Sequence, residues 1–184
     1  MKAVLISIQP KWCELIASGK KTIEVRKTRP KMQETFLCYI YETQGLYHGS
    51  GGCLFRGRGK VIGEFLCSEV SEFESELWDD ETHERITRVL HKTDWEGYPE
   101  TESFYVAEDG EENYLCTESC LSWEELRNYI GQGFNTFYGW YISDLILYDT
   151  PKELSEFSKY GFGEPVPLKR PPQSWMYVED GICP

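Results

Sequence analysis

The sequence predicts a mostly-β, barrel-like α+β domain. Six segments are continuously apolar or alternate apolar and polar residues at the period of two that a strand requires. Only two or three segments space their apolar residues as a helix does. Strands and helices do not alternate regularly, which argues against a doubly wound parallel sheet.

Ala3 to Ile8 is a short apolar run and reads as a buried strand. Pro10 opens a helix at its first position, where no backbone donor is lost, and Trp12, Leu15 and Ile16 follow at helical spacing. Gly19 fits the left-handed position past the helix end. Lys21 to Lys27 alternates as a strand, with Thr22, Glu24 and Arg26 on one face and Lys21, Ile23, Val25 and Lys27 on the other. Pro30 stops it. Phe36 to Thr43 is a third strand. Residues 44–59 are rich in glycine and form a lid or a hairpin tip. Gly59-Lys60 is followed by Val61, so no phosphate-binding G-x-x-x-x-G-K-[ST] loop is present.

Lys60 to Ser71 is apolar enough for a central strand. Ile86, Val89 and Leu90 share one face if Asp80 to Lys92 is a helix, which is the expectation. Thr93 to Ser119 is acidic, aromatic and turn-rich, and reads as loops or a ragged hairpin within an acidic insertion at about residues 79–120. Ser122 and Glu125 form a capping box, with Leu121 and Leu126 as a hydrophobic staple, so a helix spans Leu121 to Ile130. Phe137 to Tyr148 is a long strand. After a proline-rich stretch, Ser174 to Glu179 is a closing strand.

The 184 residues suit one domain with insertions. Formal net charge is -12, which argues against a protein that coats nucleic acid with its whole surface. The charge is uneven. Met1 to Lys60 holds eleven Lys and Arg against four Glu, a net of +7, whereas Val61 to Pro184 nets -19. A local basic surface on an acidic body follows. The seven cysteines include no CxxC pair, so a zinc ribbon or a thioredoxin-type site is not expected. No metal or cofactor motif is present. With no signal peptide and no apolar run of the roughly 20 residues needed to span a bilayer, a cytoplasmic protein without a membrane partner is expected.

Four segments carry a family resemblance. S-I-Q-P-K-W-C-E-L-I-A-S-G-K-K-T-I-E-V-R-K, from Ser7 to Lys27, resembles the opening of ASCH domains, members of the PUA-like superfamily. G-K-V-I-G-E-F at Gly59 to Phe65, G-W-Y-I-S-D-L at Gly139 to Leu145 and P-P-Q-S-W-M-Y-V at Pro171 to Val178 look like later pieces of the same family. The resemblance implies a single domain over 1–184, folded as a small β-barrel with two or three helices at its rim and a cleft beside the first helix. It also implies binding of RNA or of modified nucleobases, with DNA as a further candidate. Other members are amidohydrolases of acylated cytidine, and ribonuclease activity has been described for some. In the amidohydrolases a Lys shortly precedes a catalytic Thr. Lys21 and Arg26 match the Lys and Arg of that segment, but Glu24 occupies the Thr position, and a carboxylate does not replace a hydroxyl nucleophile directly.

The expected function is therefore binding of RNA or a modified nucleobase in a basic, aromatic-lined cleft. A hydrolase of the ASCH type or a ribonuclease is the alternative, with Lys21 activating a water or nucleophile and Glu24 as acid/base. Lys21, Arg26, Lys27 and Arg29 are candidates for phosphate or base edges, with Lys31 extending the basic run. Glu24 can accept from a base amino group. Trp12, Tyr41, Trp140 and Trp175 are candidate stacking platforms, and Ser174 is a further ligand contact.

Overall fold

The computed structural model describes residues 1–32, 35–48, 52–79, 85–92, 104–105, 114–131, 135–161 and 163–181. They fall into two compact units. One comprises Met1–Lys20, Met32–Ser68 and Ile142–Pro184, and the other Lys21–Lys31 and Glu69–Tyr141.

In the first unit, β1 (Lys2–Ile8) runs antiparallel to β10 (Trp175–Glu179) on one side and parallel to β3 (Phe36–Glu42) on the other. Residues 3–8 of this central strand are buried on both faces, which is why Ala3 to Ile8 is continuously apolar apart from Ser7. α1 (Pro10–Ala17) buries Pro10, Cys13 and Ile16. It ends in a Schellman motif, with Gly19 N–H donating to Ile16 O at 2.9 Å and Lys20 N–H to Leu15 O at 3.0 Å, and Gly19 takes φ +70°. β3 pairs antiparallel with the first part of β6 (Val61–Asp79). Residues 44–59 take the hairpin form, as β4 (Leu46–His48) and β5 (Leu54–Arg56). Ala3, Leu5, Tyr39, Tyr41, Val61, Phe157, Leu168 and Val178 form the core.

In the second unit, β2 (Ile23–Arg26) pairs antiparallel with the first part of β9 (Asn135–Lys152). β6 continues against β7 (Arg85–Lys92), and β7 against β8 (Phe104–Tyr105). α2 (Tyr114–Ser119) and α3 (Trp123–Ile130) complete the unit. The core holds Ile23, Val25, Phe73, Leu115, Leu126, Ile130 and Phe137. The capping box forms as the sequence predicts, with Glu125 N–H on Ser122 Oγ at 3.1 Å and Ser122 N–H on Glu125 Oε2 at 2.9 Å.

The strand order is β10-β1-β3-β6-β7-β8, with β9 pairing β2 and β6. Among the described residues these pairings do not close into a barrel, and the class they establish is mixed α+β. Two expectations are corrected. Residues 85–92 form a strand, not a helix. Ile86, Thr87 and Val89 favour extended backbone, and the segment pairs antiparallel with β6, Glu72 opposite Lys92 through Asp79 opposite Arg85. The segment expected as loops or hairpin contains the helix α2; most of the remaining acidic insertion lies outside the described residues. No described helix is long and apolar enough to cross a membrane.

Two measurements follow from these cores. A Cβ at Gly139 would lie 2.9 Å from Phe73 Cε2 and 3.0 Å from Ile23 Cγ2. Gly139→Ala is therefore expected to cost about 1–3 kcal/mol by overpacking, read by urea denaturation. In the first unit, the Tyr148 hydroxyl donates to the Glu64 carboxylate. Burial, chiefly, raises the Tyr148 pKa, and Glu64 adds to it. Burial likewise pushes Tyr39 from 10.0 to about 12, with Asp180 and Glu64 adding and the Gly181 N–H opposing. The folded state thus prefers neutral phenols. The Tyr39 contribution is complete below the unfolded value of 10.0 and is lost as pH rises through about 12, and that of Tyr148 begins to fall over the same rise. Denaturation at stepped alkaline pH should show stability falling over that interval, and Tyr148→Phe should flatten the fall.

Candidate functional site

Ile23 and Val25 enter the core of the second unit, so the alternation of β2 sends Glu24 and Arg26 to its other face. There the register sets Glu24 opposite Trp140 and Arg26 opposite Tyr138. Both charged residues are nonetheless buried, at 6% and 9% exposure, and Lys21 is at 3%. Lys21 was expected on the face opposite Glu24. It precedes the strand proper, and its side chain turns back so that Nζ lies 3.2 Å from Glu24 Oε2. Arg26 Nη2 holds the other oxygen, Oε1, at 2.8 Å. One carboxylate is thus clamped by two cations.

The clamp is built into its surroundings. Lys21 Nζ donates to Ile23 O at 2.8 Å and to Ser119 O at 2.7 Å, so with Glu24 three acceptors meet the three protons of the ammonium. Ser119 O lies at the C-terminal end of α2, where helix carbonyls lack internal partners and a cation is favoured. Thr22 N–H donates to Glu118 O at 2.8 Å, and the Thr22 hydroxyl bonds the Glu118 carboxylate. The hydroxyl of Ser119 is fully buried and has no hydrogen-bond partner among the described residues.

From α3, the Tyr129 hydroxyl accepts from the Arg26 guanidinium and from Lys27 N–H. Burial raises the Tyr129 pKa; Arg26 opposes that and Glu24 adds to it. Beyond the strand, Lys27, Arg29 and Lys31 are exposed. Lys27 Nζ lies 5.5 Å from the centre of the Tyr129 ring, and the Arg29 guanidinium 5.6 Å from that of Tyr138. These are cation–π distances. A buried carboxylate clamp, an exposed basic run and two tyrosine rings therefore meet within one unit.

The other candidates divide. Trp140 belongs to this unit and has no exposed surface, so it backs the strand that carries Glu24. Trp12, Tyr41, Ser174 and Trp175 lie in the first unit. Tyr41 is in its core. Trp12, on α1, is partly exposed and carries Lys11 Nζ at 4.1 Å from its ring centre. Ser174 O accepts from Ser7 N–H at 2.8 Å. Trp175, partly exposed, packs edge-on against Tyr177 at 5.3 Å. Tyr129, Tyr138 and Ser119 were not anticipated. Their only sequence signal is an aromatic or hydroxyl residue near an expected helix or strand, because the pairings that bring them to Lys21 and Arg26 span about a hundred residues.

A family model of the ASCH domain matches residues 6–150, most of the chain and all of the clamp. The chain belongs to the ASCH domain family. Among solved structures, a mutant of ZmASCH from Zymomonas mobilis is similar at 18% identity, covering 96% of this chain and 88% of that one with a TM-score of 0.54. The unmutated ZmASCH structure follows at 19% identity, 96% and 87% coverage and a TM-score of 0.49. The first likeness shows that this ASCH chain shares the ZmASCH fold. No curated protein sequence matches the chain.

Opening the clamp should be costly. Removing one member of a buried ion pair costs about 3–5 kcal/mol. Glu24→Gln should lose about that much in urea denaturation, whereas Glu164→Gln at an exposed loop position should stay within about 0.5 kcal/mol.

Proposed function

We propose that this ASCH domain binds single-stranded RNA through the strand and loop from Lys21 to Lys31. The observation that carries the proposal is the exposed run of Lys27, Arg29 and Lys31 extending from the buried Lys21–Glu24–Arg26 clamp, in a chain of net charge -12. The clamp fixes the strand, and the exposed cations meet phosphates. Tyr129 and Tyr138, already beneath Lys27 and Arg29, supply rings against which a base can stack. A modified nucleobase presented by such a strand is the finer form of the same reading, with Glu24 as the acceptor for a base amino group if Arg26 or Lys21 yields.

Hydrolysis is the weaker reading. The three protons of Lys21 are directed to Ile23 O, Ser119 O and Glu24, which makes Lys21 a holder of the carboxylate rather than an activator of water. An acid/base step would fall on Glu24 alone.

Fluorescence anisotropy with short single-stranded RNA across a salt series tests the binding reading. Each lost phosphate contact lowers the log–log salt slope by about 0.7 for single strands, so Lys27→Ala/Arg29→Ala should lower it by about 1.4 and weaken binding at low salt. Salt-independent binding, or none, would refute it. Release of cytidine from an acylated cytidine, lost in Glu24→Gln, would favour the hydrolase instead.

A further inference from the structure

The β4–β5 ribbon of the first unit is unused by the site above. Its register pairs Leu46 with Arg56, Tyr47 with Phe55 and His48 with Leu54. Cross-strand partners share a face. Tyr47 and Phe55 therefore lie together on one side, ring centres 5.7 Å apart and planes 33° from parallel. Leu46, His48, Leu54 and Arg56 lie together on the other, all exposed. Leu46, Leu54 and Phe55 are 62%, 59% and 48% exposed. So much apolar surface on a two-stranded ribbon, itself only marginally stable alone, calls for a partner.

The ribbon is held at its base. Gly57 N–H donates to Gly45 O at 2.9 Å, and a Cβ on Gly57 would fall 1.9 Å from Thr43 O and 2.4 Å from Pro10 Cγ. Glu42, buried at the end of β3, accepts Arg58 N–H at 3.0 Å, and its Oε2 is 3.7 Å from Arg58 Nε. The Arg58 side chain nevertheless stays 61% exposed. The ribbon is thus presented from a fixed foot.

Charge chooses the partner. Residues 44–60 contain Arg56, Arg58 and Lys60 and no Asp or Glu, in a chain with an excess of twelve acids. Lys60 pairs with Glu153 at 2.6 Å and Arg58 with Glu42 at 3.7 Å, but the Arg58 side chain stays 61% exposed and Arg56 is exposed as well. An arginine on one face, an exposed ring on the other and a second arginine at the foot fit a flexible polyanion that crosses the ribbon's edge and also offers flat bases.

We propose that the β4–β5 ribbon is a second contact for single-stranded RNA that passes over the ribbon's edge, with Phe55 stacking a base on one face and Arg56, on the other face, and Arg58, at the foot, binding phosphates. It rests on the RNA reading above, and one set of variants separates the two. Full-length protein is titrated into fluorescein-labelled short single-stranded RNA at several salt concentrations, with thermal melts as a folding control. Phe55→Ala should weaken binding about tenfold, and Arg56→Ala should lower the salt slope by about 0.7, both with unchanged melting. If Lys27→Ala/Arg29→Ala loses affinity while Phe55→Ala and Arg56→Ala do not, the ribbon proposal falls and the strand reading stands. The converse pattern retains the ribbon and removes the strand. Absence of RNA binding by the unaltered protein overturns both. If Phe55→Ala instead abolishes sedimentation with phosphatidylcholine–phosphatidylserine vesicles and leaves RNA binding intact, the ribbon is a membrane contact and the proposal is overturned.

Discussion

A carboxylate at 6% exposure survives in a protein interior only when both of its oxygens are met by charge or by strong donors. Glu24 satisfies this with Lys21 on one oxygen and Arg26 on the other. The requirement then propagates. The Lys21 ammonium is itself buried, and two of its three protons need acceptors from elsewhere. The Ile23 carbonyl is local, but the Ser119 carbonyl lies 98 residues away. Arg26 in turn places a guanidinium beneath Tyr129 of α3. The start of β2, the end of α2 and one face of α3 are therefore fixed by the need to bury a single negative charge. Apolar residues of similar volume would hold these elements together about as well. Stability alone therefore does not explain the choice.

Local chemistry made much of the fold legible. Pro10 and Gly19 bracket α1, Ser122 and Glu125 mark the start of α3, and the apolar runs of β1, β3 and β9 read directly as strands. β7 did not, because Ile86, Val89 and Leu90 fit a helical face while Ile86, Thr87 and Val89 fit a strand. What decides is the antiparallel pairing with β6, which is visible only once the two segments are in register. The site divides in the same way. Glu24 beside Arg26 follows from the period of two. The folding back of Lys21 does not, since it depends on where β2 begins, nor does the approach of Tyr129, Tyr138 and Ser119, since it depends on pairings remote in sequence. Alternation left the Glu24–Arg26 face to be solvated, paired or used. The structure buries it, because β9 sets Trp140 and Tyr138 across from the pair.

The charge asymmetry of the sequence acquires a structural meaning once burial is known. Of the cations in the first 60 residues, Lys21 and Arg26 are spent on Glu24, and Lys60 is spent on Glu153. Lys11, Lys20, Lys27, Arg29, Lys31, Arg56 and Arg58 reach solvent. The basic surface available to a partner is therefore smaller than the count of Lys and Arg implies, and it is confined to short stretches, one strand end and one ribbon among them.

That confinement bears on which nucleic acid such a protein can hold. At physiological ionic strength the Debye length is about 8 Å, so a phosphate feels chiefly the charges within one or two side chains of it. A phosphate beside Arg56 or Lys27 is attracted, while one displaced onto the acidic remainder of the chain is repelled. A duplex, with one charge per roughly 1.7 Å of axis and little freedom to bend over such distances, would bring many phosphates over acidic surface for each one neutralised. A flexible single strand can follow a short basic path, at the strand end with its bases toward Tyr129 and Tyr138, or, separately, at the ribbon with a base toward Phe55. Added salt weakens the few attractions and also screens the surrounding repulsion, so the salt dependence of the unaltered protein reports the balance of the two, whereas the change in slope between it and a single-site variant isolates the contact that was removed.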